Sequence, residues 1–194
     1  ALQSSKSRGA TWQVLGQQVL MGKLNIPVIP PEEIAKLELS EYARPRFEQA
    51  QQLAPYGLPS NLDAWDGYPA ARERLFAMLS ADATNPISLA GDTHNGWAFN
   101  LTNAQGEEVG VEWGTPAISS PGLENYVPLP PEQMQALLKG ASPELVACDT
   151  SQRGWTQVTL TPEVATARWR FVSSVIEPEY SGQSGPELTV DAGD

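Results

Sequence analysis

Apolar residues fall along this chain in short bursts, and their spacing separates strands from helices. Residues 12–21 are apolar too densely for an amphipathic helix, and Gly16 would interrupt one, so the stretch reads as a buried strand. Residues 86–90 form a second short apolar run. Residues 97–103 and 107–114 flank Ala104-Gln105-Gly106, the signature of a hairpin with a short glycine-containing loop. Residues 154–161 and 165–175 read as another antiparallel pair, with Val158 and Leu160 alternating and Trp169, Phe171 and Val175 on one face. Two stretches carry the helical period instead. Residues 69–79 place Arg72, Leu75, Phe76 and Leu79 on one side, and residues 130–138 start at Pro131 and Glu132 and stop before Gly140. Shorter helical pieces are expected at 32–39, with Pro31 at the first position, and around 47–53.

Helix followed by buried strand is an α/β unit, and such folds place ligand loops at the carboxyl ends of their strands. The expected class is therefore α/β (α+β), with mixed sheets flanked by helices. Between the first strand and the first long helix, prolines at 27, 30, 31, 45, 55 and 59 break every long element. Residues 22–61 read as a surface excursion, or lid, because a connection of this length inside a domain is usually functional or mobile. Residues 4–8 are polar and read as flexible. After Glu177 the composition turns to Gly, Ser, Pro and acidic residues, so 1–176 reads as the domain and 177–194 as a flexible acidic tail. There is no internal repeat.

Composition narrows the classes. A chain of 194 residues fits one domain with a sizeable core. Twelve basic against 23 acidic residues, a formal charge of −11, argue against a nucleic-acid groove or an anionic membrane surface. The single Cys148 excludes an internal disulfide and a zinc-ribbon spacing. No apolar run approaches the roughly 18 residues of a transmembrane segment, and residues 1–10 contain no signal-peptide core. A first residue Ala1 instead of Met suggests a processed or truncated chain.

The chemistry concentrates at Gly91-Asp92-Thr93-His94-Asn95, directly after the apolar run at 86–90. His94 is the only histidine. In an extended strand-end loop, residues i and i+2 project to one side, so Asp92 and His94 could share a metal ion. On the tetrapeptide alone, a second reading stands equal: Asp92 caps a turn and His94 bonds locally. A metal shell needs further ligands, for which Asn95 and Asp66 are the candidates. Asp66 has a competing role in easing the positive end of the helix that begins at Pro69. Ser119 and Ser120 lack a nucleophile elbow, Cys148 has no neighbouring cation in sequence to activate it, and no phosphate loop or dinucleotide fingerprint occurs.

Four blocks in order carry a resemblance. They are Trp12-Gln13-Val14-Leu15-Gly16-Gln17-Gln18-Val19-Leu20-Met21, then Asp63-Ala64-Trp65-Asp66-Gly67-Tyr68-Pro69 with Arg72, Glu73 and Arg74, then Gly91-Asp92-Thr93-His94-Asn95-Gly96-Trp97, and then Gly110-Val111-Glu112-Trp113 with Thr115-Pro116 and Ser119-Ser120-Pro121-Gly122. The pattern resembles the carboxyl-terminal half of the catalytic domain of alkaline phosphatase D (PhoD-like) metallophosphatases. Arg153-Gly154-Trp155 and Trp169-Arg170-Phe171 are similar to the way such domains end.

The resemblance implies the second half of a calcineurin-like metallophosphoesterase sandwich. It also implies hydrolysis of phosphate mono- or diesters, iron and calcium as cofactors, and a periplasmic or secreted location. By the same resemblance His94 is an iron ligand and Asp92 a ligand of the neighbouring divalent ion, a hard oxygen donor suited to calcium or ferric iron. The family's remaining ligands belong to an amino-terminal half. The chain then corresponds to roughly the final two-fifths of a longer enzyme, and its partners are a phosphate ester and either that missing half or a dimer partner. The apolar stretch 12–21 should need such cover. Two other classes stand against this reading: a non-catalytic binding or structural module that retains the second half of the fold, and, behind it, a carbohydrate-binding β-module suggested by the six tryptophans.

Overall fold

The computed structural model describes residues 1–193 and builds two sheets from the predicted strands and two that the pattern did not reveal. In chain order the elements are α1 (Leu2–Ser7), β1 (Gln13–Gly16), α2 (Pro31–Ile34), α3 (Ala43–Leu53), α4 (Pro69–Asp82), β2 (Pro86–Ala90), β3 (Gly96–Thr102), β4 (Glu108–Gly114), α5 (Pro131–Ala141), β5 (Leu145–Asp149), β6 (Arg153–Leu160), β7 (Val164–Val172) and β8 (Gly182–Asp191). The first sheet runs β1-β2-β4-β3-β5, with β1, β2 and β4 parallel and β3 antiparallel to both of its neighbours. The second, β6-β7-β8, is wholly antiparallel.

Period-two alternation divides the core. On β3, Trp97, Phe99 and Leu101 face a helix-covered layer with Leu20, Met21, Phe76, Leu79, Met134 and Leu138. Ala98 faces the other way and joins Ile87 and Trp113 against Ala165, Ala167, Trp169 and Phe171 of β7. Every second residue of β7 is buried, as a strand with one face on a core requires. The β3–β4 hairpin turns as its sequence demands. Gly106 takes φ +81°, and the Asn103 side chain accepts hydrogen bonds from the backbone N–H groups of Gln105 and Glu107.

Several expectations change. The strand expected over 12–21 shortens to four residues, because the chain leaves the sheet after Gly16. Leu20 and Met21 are then buried in the helical layer, and only Val14 of that stretch stays exposed as a large apolar side chain. Leu20 and Met21 therefore find cover within the chain, while β1 remains an edge strand of the first sheet. Helix α2 is a single turn, α3 begins four residues before Phe47, and α5 runs through Gly140. The polar opening residues form α1, which docks on α4 by a Gln3–Asp82 hydrogen bond of 3.0 Å. Val175 lies beyond β7 and is exposed.

The expected flexible tail is also corrected. Gly182–Asp191 is an edge strand paired along β7, held by backbone hydrogen bonds although most of its side chains are exposed. Pro186 sits where the β7–β8 register shifts, the kind of position a strand proline can occupy. Asp194, the end of that expected tail, lies outside the described residues.

Residues 22–61 are folded onto the domain. Ile29, Ala43 and Phe47 are buried, and Asn25 bridges to Pro59. The segment is pinned at its start: the Met21 and Gly22 N–H groups donate to Glu112, Lys23 N–H to Glu144, and Asn25 N–H to Ser142 Oγ. Glu112 and Glu144 are buried carboxylates from β4 and the α5–β5 turn. Burial pushes the Glu112 carboxyl above the usual range, while these N–H groups oppose the shift.

Candidate metal centre

The loop after β2 lies at the carboxyl end of the first sheet, and every turn of it is tied down. Gly91 N–H donates to Gln18 O (3.0 Å), Thr93 N–H to Gly91 O (2.8 Å), and Ala117 N–H to His94 O (3.2 Å). Trp97 Nε1–H donates to Thr93 Oγ1 at 2.6 Å. Asp92 and His94 both take left-handed backbone, φ +69° and +64°. The extended geometry that justified the i, i+2 argument is therefore absent. The loop is a run of bends, and two non-glycine residues held in a sparsely populated region are the kind of local strain that clusters at functional sites.

His94 is half-buried, and its Nδ1 lies 2.8 Å from Pro121 O. A carbonyl only accepts, so Nδ1 carries a proton, and in the neutral imidazole Nε2 then keeps its lone pair. That is the state in which a neutral imidazole ligates a metal, its other nitrogen held by a carbonyl. The Asp92 carboxylate is exposed and takes no hydrogen bond from the described residues. One imidazole nitrogen and one carboxylate thus stand ready as donors, a set that fits part of a shell for iron or a hard divalent ion. Among the described residues no group of three or more His, Cys, Asp or Glu comes together.

The other proposed ligands have different partners. Asn95 is 1% exposed, and its Oδ1 accepts from Leu123 N–H at 3.0 Å, which fastens the 121–123 loop beside His94. Its Nδ2 is buried with no hydrogen-bond partner among the described residues. Asp66 Oδ2 accepts from Leu24 N–H at 3.1 Å. Burial pushes the Asp66 carboxyl up, partly offset by that bond, and the residue serves the start of the 22–61 segment. Cys148 on β5 is buried, and its thiol is pushed up to about 12, chiefly by desolvation and then by Asp149. It is no nucleophile in this environment.

Asp92, Thr93, His94 and Asn95 line a cleft of about 520 Å³. Ile29, Arg46 and Phe47 of the 22–61 segment line it as well, together with Leu123 and Val127. The excursion expected to be a lid is in place as a wall of this cleft. Sequence reasoning missed the residues that hold the loop: Pro121, Leu123, Glu124 and Arg153. The blocks Ser119-Ser120-Pro121-Gly122 and Arg153-Gly154-Trp155 were the available signal.

Three comparisons bear on this arrangement. The family described as PhoD-like phosphatase matches residues 1–169. Alkaline phosphatase D of Bacillus subtilis (strain 168) is 28% identical over 177 residues, which is 89% of this chain and 25% of the relative. A solved structure of PhoD superposes with a TM-score of 0.66 at 23% identity, covering 98% of this chain and 31% of that one. The chain thus spans about a quarter of the length of that curated relative, a smaller share than the two-fifths expected. Among the described residues no helix is long and apolar enough to cross a membrane.

Proposed function

The chain belongs to the PhoD-like phosphatase family, and we propose that it contributes one corner of a metal-dependent phosphoric ester hydrolase site. In this reading His94 Nε2 would hold iron and the Asp92 carboxylate a neighbouring calcium or similar divalent ion. The observation that carries it is the His94 Nδ1–Pro121 bond, which leaves Nε2 of the neutral ring as a donor on a residue that lines the cleft.

Bound metals of this kind supply Lewis-acid activation of a phosphoryl group and of the attacking water. The residues of this chain contribute position and shape. Asn95 and Thr93 fix the loop that carries the two donors, so little reorganisation remains when a ligand arrives. Ile29, Phe47 and Leu123 line the cleft with apolar surface that restricts water around the ester. Neither Asp92 nor His94 is assigned as a nucleophile. The remaining ligands would come from residues beyond those described, and the periplasmic or secreted location is part of the same reading, supported by the resemblance.

The experiment is metal analysis of the longer protein that contains this chain, purified as wild type, His94→Ala and Asp92→Ala. We expect iron and calcium in the wild type, loss of iron in His94→Ala, weakened divalent binding in Asp92→Ala, and loss of phosphodiesterase activity in both. Full metal retention in His94→Ala would overturn the assignment. A second reading, a non-catalytic module, is favoured by the absence of a three-ligand cluster among the described residues. A metal-free, inactive wild type would select it.

A further inference from the structure

We infer that Arg153, acting with Glu124, is a positioning residue that sets the protonation geometry of His94. Arg153 opens β6 in the second sheet and is 8% exposed. One arm of its guanidinium, Nη1, donates to Gln152 O at 2.7 Å and reaches His94 O at 3.5 Å. The other arm, Nη2, is ion-paired with Glu124 Oε1. That same oxygen accepts from Gly122 N–H at 3.1 Å and from Asn125 Nδ2 at 2.8 Å. Gly122 directly follows Pro121, whose carbonyl receives the His94 Nδ1–H. A single guanidinium therefore touches both ends of the bond that leaves Nε2 free: the backbone of the histidine and, through one carboxylate, the residue beside its acceptor.

The arrangement has little slack. Glu124 Oε2 is buried without a partner among the described residues, so the carboxylate depends on Oε1 and its three donors. Burial lowers the Arg153 pKa, yet an arginine stays charged, so the pair persists as an ion pair. Without Arg153, Glu124 would be a part-buried anion short of its countercharge, a state that drives rearrangement or exposure. The loop it braces would then move the Pro121 carbonyl. A planar two-armed donor is needed here, because lysine is a point donor that can satisfy one of the two directions.

The inference rests on the proposed ligand role only for its purpose, since the tautomer of His94 can be read without any metal. His94 is the only histidine of the chain, so its two ring nitrogens give one unambiguous pair of 15N signals. The test is long-range 1H–15N correlation at a pH where the imidazole is neutral. It is applied to the metal-free chain as wild type, Arg153→Ala, Arg153→Lys, Glu124→Gln and Arg168→Ala, the last removing an ion pair on β7 remote from the loop. Wild type and Arg168→Ala should show Nδ1 protonated. Arg153→Ala should shift the tautomer ratio toward protonated Nε2 by about tenfold, the scale of one lost hydrogen bond. Arg153→Lys and Glu124→Gln should fall between.

If Arg153→Ala does not fold, the two conservative variants decide. An unchanged tautomer in a folded Arg153→Ala, or in both conservative variants, overturns the proposal. Absence of metal in the longer protein would instead overturn the ligand assignment and leave this result standing.

Discussion

Arg72 gives the sharpest test of how the cleft wall is held. It lies in α4 at 1% exposure, where its Nε donates to Met21 O (2.7 Å), Nη1 to Thr102 O (3.0 Å) and Nη2 to Glu144 Oε2 (2.7 Å). Its guanidinium carbon also sits 4.2 Å from the centre of the Phe76 ring. Arg72→Met preserves much of the volume, but it strips all three hydrogen bonds and leaves Glu144 buried with a more distant cation, Lys23 at 3.7 Å. Breaking a buried pair from one side costs about 3–5 kcal/mol, roughly a 10 °C fall in Tm for a chain of this size.

Urea unfolding followed by tryptophan fluorescence measures that cost, with Glu144→Gln and the double variant completing a cycle. The double variant should cost less than the sum of the singles by at least about 1 kcal/mol, because the two side chains interact directly. Arg168→Ala supplies the contrast. Its pair with Glu187 is 35% and 49% exposed, and an exposed pair contributes about 0–1 kcal/mol. An Arg72→Met cost indistinguishable from that of Arg168→Ala, or strict additivity in the cycle, would refute the reasoning.

Cys148 and Gly154 supply two further tests. Cys148, with a native pKa of about 12 against an ordinary 9.0, should resist an aromatic disulfide reagent at neutral pH until the protein unfolds. Because the unfolded thiol loses its proton first, its contribution to stability is complete below pH 9.0 and declines as pH rises toward 12. A Cys148→Ala variant should lack that alkaline decline, which pH-dependent urea midpoints would show. Gly154→Ala would press a Cβ onto the Arg170 carbonyl oxygen, a backbone atom inside the β6–β7 ladder. We expect a loss of at least about 2 kcal/mol from such overpacking, and an alanine variant with wild-type stability by calorimetry would contradict the close approach.

The elements that could be read from the chain were those whose side chains repeat with a clear period. Trp169 and Phe171 announce a strand because burial alternates along β7, whereas β3 is buried on both faces and its bulky Trp97, Phe99 and Leu101 share one of them. β8 gave no such sign. Its side chains are mostly exposed and its hold on β7 is backbone to backbone, which composition does not record. Arg72 was visible on the buried face of its helix, but its partners Met21, Thr102 and Glu144 are remote in sequence and only tertiary structure brings them together.

The candidate site was legible to a similar degree. Asp92 and His94 stood out as the loop after an apolar run, and the resemblance gave them a role. Extended alternation does not describe how they are placed, because the backbone is left-handed at both positions. Asn95 and Asp66 looked like ligands because their residue types allow it. Their oxygens instead accept backbone N–H groups from Leu123 and Leu24, bonds that no local spacing foretells.

The parallel pairing of β1 with β2 has a consequence in time as well as space. Gln13 meets Pro86 only after the whole proline-broken segment and α4 have been gathered between them, whereas β3 and β4 close over a short turn. Loop closure costs more entropy as the loop lengthens, and non-local pairing slows folding. The hairpin can therefore form early and locally, while β1 must wait for a strand made much later. Among the described strands, β1 depends for its pairing on a partner that lies far downstream in sequence.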